Sequence, residues 1–177
     1  SMTTAADAFT ALFDRMPALV RDAVGDLAAD DLARRLDPDA NTIAWLVWHL
    51  ARVEDDHVSK AAEALGRDDL AEQAYVADGF ADRFGLPFPT EAHGYGLSSE
   101  EVGQVRAPGD LLVAYYDAVH EKTGAFLGTL SDDDWERVVD TSWTPPVTLL
   151  ARITSVANEV AQHVGQAAFV RGVIERS

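Results

Sequence analysis

A chain of 177 residues can bury a full hydrophobic core without staples and suits one domain spanning 1–177. Its 30 acidic and 14 basic residues give a net charge of -16, which repels phosphate backbones and acidic bilayer surfaces and excludes nucleic acid as a partner. Cysteine is absent, which removes disulfides, thiolate zinc sites and cysteine nucleophiles; no apolar run approaches the ~20 residues of a membrane span and the N-terminus lacks a signal pattern, so a cytoplasmic location is expected.

Periodicity predicts an all-α protein, a four-helix bundle with one long crossover. From about Thr4 to Leu27, the residues Phe9, Leu12, Phe13, Met16, Leu19, Val20 and Val24 recur at three- and four-residue steps, the stripe of a helix buried on one side, with Pro17 bending its middle. The loop Asp37-Pro38-Asp39 then leads to Asn41 or Thr42, which caps a second helix running to about Leu65. A connection of about 40 residues, 66–107, rich in glycine, proline and aromatics, comes next; a link that long inside a compact domain is functional or a crossover. As a crossover it makes helices two and three parallel and helices two and four antiparallel. The third helix opens after Pro108-Gly109-Asp110, carries Leu111, Leu112, Tyr115, Tyr116, Val119, Phe126, Leu127 and Leu130, and gives way to a short turn around Trp135. Thr144-Pro145-Pro146 reads as the start of the fourth helix, because a proline in the first turn loses no needed amide hydrogen, and that helix continues to about Ile174.

Two of these helices set metal-competent side chains among apolar ones. Glu159 and His163, spaced i,i+4, share one helical face and can grip a single ion, and His49, surrounded by Ile43, Trp45, Leu46, Val47, Trp48 and Leu50, can supply a third ligand. Two histidines and a carboxylate leave open positions on Zn²⁺, Fe²⁺ or Ni²⁺, which is what separates a catalytic site from a closed structural one. Each residue also has a plainer reading. His49 could be a satisfied core histidine, and Glu159 with His163 an ordinary i,i+4 pair. Against the second stand Ile153, Val156, Val160, Val164 and Ala167, in whose company a carboxylate needs a partner to offset its desolvation.

Other polar residues follow from helical angle. Gln166 points to the same face as His163 and could orient a ligand or a bound water, which makes it, with Arg152, a candidate cofactor-binding residue; a plain interior hydrogen bond is the alternative. Asp56 and Arg152 return to the metal-facing sides of their helices; a structural ion pair between them is expected, with a substrate carboxylate on Arg152 as the alternative. His57 lies about 80° around the helix from His49 and reads as a helix-end or supporting residue. The run His93-Gly94-Tyr95-Gly96 lacks the strand and helix context of a dinucleotide fingerprint, and Glu159-x-x-x-His163 is not the zinc-protease motif.

The segments Asn41-Thr-Ile-Ala-Trp-Leu-Val-Trp-His49-Leu-Ala-Arg-Val-Glu-Asp-Asp-His57, Arg83-Phe-Gly-Leu-Pro87 and Gln162-His163-Val-Gly-Gln-Ala-Ala-Phe-Val-Arg171-Gly resemble the DinB-like metalloprotein superfamily, and within it the actinobacterial branch of mycothiol-dependent transferases. The resemblance covers nearly the whole chain. It implies a four-helix bundle, a homodimer and a divalent metal, usually held by three histidines. Glu159 stands where the first histidine of the last helix is usual, a departure shared with the metal-binding domain of mycothiol-dependent maleylpyruvate isomerase, whose ligands correspond to His49, Glu159 and His163.

That likeness implies a thiol S-transferase, in which mycothiol or a related small thiol meets an electrophile at a site holding Zn²⁺, Ni²⁺ or Fe²⁺. With no cysteine in the chain, the sulfur comes from outside it. Phe84, Phe88, Tyr95 and Trp143 are candidate pocket walls. Two other classes stay open: a non-catalytic metal- or ligand-binding stress protein, and a metal-dependent hydrolase acting through water.

Overall fold

The structure, a computed structural model, describes every residue from Ser1 to Ser177. In chain order its elements are α1 (Ala5–Phe13), α2 (Met16–Val24), α3 (Ala29–Leu32), α4 (Ile43–Ala64), α5 (Ala74–Ala77), α6 (Phe80–Phe84), α7 (Ser99–Gly103), α8 (Gly109–Gly128), β1 (Val138–Asp140), β2 (Val147–Thr148) and α9 (Leu149–Glu175). Four long units, α1 with α2, α4, α8 and α9, pack as the expected bundle.

Contacts along the helices give their directions. Arg52 meets Tyr115 and Ser59 meets Lys122, so α4 and α8 run parallel. His49 meets Glu159 and His57 meets Arg152, so α4 and α9 run antiparallel. The connection 65–108 is therefore the crossover that the sequence predicts.

Local chemistry explains most of the boundaries. Thr4 and Asp7 form a capping box at α1, and the Thr42 hydroxyl accepts the Trp45 amide at 3.0 Å to start α4. Two expectations need correction. The first helix is not one bent rod: it stops at Asp14, and Pro17 stands in the first turn of α2, where its fixed φ and missing N–H favour initiation over bending. The last helix begins at Leu149, not at Thr144-Pro145-Pro146. The Thr148 hydroxyl caps it by accepting the Ala151 amide at 3.2 Å, and the residues before it form an antiparallel β1–β2 hairpin.

The core includes Phe13, Ile43, Trp48, Leu112, Tyr115, Phe126, Ile153 and Val160, all nearly or fully buried. A polar seam runs through it between α4 and α8. Asp55 accepts the Ala74 and Tyr75 amides at 3.0 and 2.9 Å, the Tyr115 hydroxyl at 2.7 Å and Lys122 Nζ at 2.6 Å. Arg52, fully buried, donates to the carbonyls of Ala92 and Thr90 at 2.9 and 3.1 Å. Two side chains of one helix thus pin the crossover at both of its halves, and its far half passes over His49.

Candidate metal centre

His49 lies on the second turn of α4, fully buried, with the ring of Trp45 stacked on it at 4.5 Å between centroids. Its Nδ1–H donates to the His93 carbonyl at 2.5 Å, the next peptide along from the two that Arg52 holds. Gly94 permits this approach: its φ is +100°, and a Cβ there would sit 2.5 Å from His49 Nδ1. His163 on α9 donates Nδ1–H to Gln166 Oε1 at 2.8 Å. Both Nε2 atoms turn toward one oxygen, Glu159 Oε1, at 3.4 Å from His49 and 3.5 Å from His163.

The three donor atoms lie within 4.8 Å of one another. Their fit to a metal can be judged from the lone pairs. Each Nδ1 faces an oxygen that only accepts, so a ring that is neutral at either position has its bare Nε2 directed at a carboxylate oxygen that also has no hydrogen. Such a cluster repels itself unless a cation sits within it. The spacing agrees: ligands about 2.1 Å from a tetrahedral ion are about 3.4 Å apart, whereas a charge-assisted hydrogen bond closes to about 2.8 Å. Burial lowers the pKa of His49, opposed by the hydrogen bond to His93, and His163 lowers it further, so the ring is held neutral as a metal ligand requires.

A cleft of about 920 Å³ opens beside Glu159. Its walls come from α4 (Asp56, His57, Lys60), the crossover (His93, Tyr95), the hairpin (Asp140, Ser142, Trp143) and α9 (Arg152, Ser155, Glu159). Tyr95 also packs edge-on against His49 at 4.7 Å, and burial, with the Glu159 carboxylate beside it, raises its phenol pKa.

The residues singled out in the sequence are placed as follows. His49, Glu159 and His163 come together. Gln166 touches His163. Arg152 does not pair with Asp56: it donates to Asp140 Oδ2 at 2.7 Å and to His57 Nδ1 at 3.2 Å, while Asp56 takes Lys60 at 3.1 Å and Gln73 at 3.0 Å. The hairpin supplies a nearer carboxylate than α4 does. Tyr95 and Trp143 line the cleft as expected, but Phe84 and Phe88 do not. Phe84 is buried against Tyr75 and Tyr115, and Phe88 leans on Trp48. Sequence reasoning named Tyr95 as a pocket wall but not as an edge-on neighbour of His49; its flanking glycines, Gly94 and Gly96, both at positive φ, mark a tight turn there.

A helical bundle that gathers two histidines and a carboxylate from facing helices, the carboxylate at the wall of a cleft, defines a class of proteins with a candidate metal site. The sequence profile of the DinB superfamily matches residues 12–167, and the chain belongs to that superfamily. Its fold is similar to that of a solved structure, a conserved protein from Enterococcus faecalis, with a TM-score of 0.86 and 24% identity, over 99% of this chain and 100% of that one. No curated protein matches the chain. No helix is long and apolar enough to cross a membrane.

Proposed function

We propose that the protein is a divalent-metal-dependent thiol S-transferase that joins mycothiol or a related small thiol to an electrophile. The observation that carries this reading is the convergence of His49, Glu159 and His163, whose carboxylate member, Glu159, also lines a cleft of about 920 Å³. Likeness of residues 41–57 and 162–172 to the mycothiol-dependent branch supports a thiol, in place of water, as the nucleophile.

His49, Glu159 and His163 would hold the ion, with Zn²⁺ the best match to a donor set of two nitrogens and one oxygen. Bound there, a divalent metal supplies the positive charge that keeps a thiol as thiolate near neutral pH. The chain's own residues do the remaining work. His93 and Gln166 fix the tautomers that aim both Nε2 atoms inward. Tyr95 and Trp143 offer aromatic walls to the second reactant.

We also propose a homodimer formed through the outer face of α9. Ala151, Thr154, Ala161, Gly165, Ala168 and Phe169 are exposed there without a charge among them, in a chain of net charge -16, and Phe169 is 68% exposed.

The test is conjugation of mycothiol to monochlorobimane by metal-loaded protein. His49→Ala should lower the rate at least tenfold. Equal rates in the two proteins would remove the site from the reaction.

A further inference from the structure

His57 is not a ligand of the triad, yet it lines the same cleft as Glu159 with its side chain 24% exposed. Its two nitrogens are not equivalent. Nδ1 lies 3.2 Å from Arg152 Nη1. A guanidinium has only donors and does not lose its proton, so Nδ1 must accept, the ring is neutral, and the imidazole hydrogen is on Nε2.

The donor that sets this tautomer is itself held in place. Arg152 Nη2 donates to Asp140 Oδ2 at 2.7 Å, and Asp140 Oδ1 accepts the Ser142 amide and hydroxyl at 2.8 and 2.6 Å. The hairpin, α9 and α4 thus lock one imidazole between them. Its Nε2–H finds no partner in the chain and is not sealed from solvent, in a residue that lines the cleft. Burial, followed by the charge of Arg152, lowers the His57 pKa to about 4, against the opposing pull of Asp56 and Glu159, so the ring is neutral across the physiological range. A neutral imidazole N–H is a donor that polarises a carbonyl without surrendering a proton to it.

We propose that His57 is a substrate-binding residue: its Nε2–H donates to the carbonyl-type oxygen of an uncharged reactant in the cleft, and Arg152 with Asp140 is the positioning pair that fixes its tautomer. The class of ligand follows from what faces it. Arg152 is occupied by Asp140 and His57, and Lys60 by Asp56, while Glu63 and Glu159 add negative charge, so a carboxylate ligand is disfavoured and a neutral carbonyl is admitted. That this carbonyl compound is the electrophile rests on the thiol-transfer reading; the binding itself does not.

In such a transfer to N-ethylmaleimide, the thiolate sulfur bonds to an alkene carbon and the alkene pair moves to the carbonyl oxygen as enolate. Water then returns a proton to the other carbon. His57 keeps its hydrogen and stabilises the oxygen.

Two measurements need no turnover. Nitrogen-15 NMR of metal-loaded protein should show His57 neutral and protonated at Nε2 between pH 6 and 8, and Arg152→Met should release the ring into a mixture of tautomers. A ring protonated at Nδ1 in the unaltered protein would overturn the proposal. N-ethylsuccinimide, a neutral dicarbonyl that cannot react, should shift the Nε2 resonance on binding. His57→Leu should weaken it about tenfold, the loss of one neutral hydrogen bond, while His57→Gln, which keeps an N–H, should retain most of the affinity. Equal affinity in the leucine variant would also overturn it.

The third measurement is mycothiol transfer to N-ethylmaleimide and to iodoethane, which has no oxygen. His57→Leu should slow the first alone. Equal slowing of both would count against a carbonyl contact. No transfer by the unaltered protein to either would end the thiol-transfer reading, with His57 still decided by the resonance and affinity measurements.

Discussion

Glu54 shows how burial can outweigh hydrogen bonding in setting the charge of a residue in this protein. It is fully buried, and desolvation raises its pKa from 4.5 to about 7, although hydrogen bonds from Thr123 at 2.8 Å and Tyr116 at 2.9 Å pull it down. Between those two values the folded state keeps a proton that the unfolded chain has released. Stability therefore falls as pH rises through 4.5 to 7, and the loss is complete above the folded value. The shift corresponds to about 3 kcal/mol. Urea unfolding should show the unaltered protein losing about that much relative to Glu54→Gln between pH 4.5 and 8. Parallel pH profiles would mean that Glu54 ionises freely in the fold.

At the scale of elements, α4 is both core helix and clamp. Its apolar side chains fill the bundle, and Arg52 and Asp55 reach out to hold the crossover by four backbone groups. The strap over His49 is thus tied to the middle of the core. Arg52→Met should cost about 3–5 kcal/mol, as for the loss of one partner from a buried charged network. Hydrogen exchange should quicken through residues 90–95 before it does in α8. Unchanged protection there would separate the crossover from the seam.

These long-range ties also mark what could be read in advance. Thr42, the apolar run from Ile43 to Leu50, and the i,i+4 spacing of Glu159 and His163 are local signals; helix geometry puts Glu159 and His163 on one face, whereas His49, on another helix, is joined to them by the family resemblance. The partner of Arg152 was not legible. Asp140 comes from a hairpin whose β2 strand is only Val147–Thr148, too short for an alternating pattern, and the prolines before it mimic a helix start. Phe84 and Phe88 resemble pocket aromatics in composition, and only the fold of the crossover turns them inward.

For the whole molecule, the strongly negative surface makes an uncharged face conspicuous. The α9 face that carries Ala161, Gly165 and Phe169 is exposed and uncharged, the kind of surface on which two copies of so acidic a chain could meet without bringing carboxylates together. Light scattering should give twice the monomer mass, and Phe169→Glu should halve it while leaving the helical signal unchanged. A monomer before substitution would leave that face without the partner proposed for it.

The thiol-transfer reading depends on an ion at the triad, and that is best tested by titrating metal-free protein with Co²⁺ while recording its visible spectrum. The account predicts one ion per chain, with a spectrum of low coordination number, and loss of that binding in both Glu159→Gln and His163→Ala. Failure of the unaltered protein to bind, or unchanged binding in both variants, would contradict it.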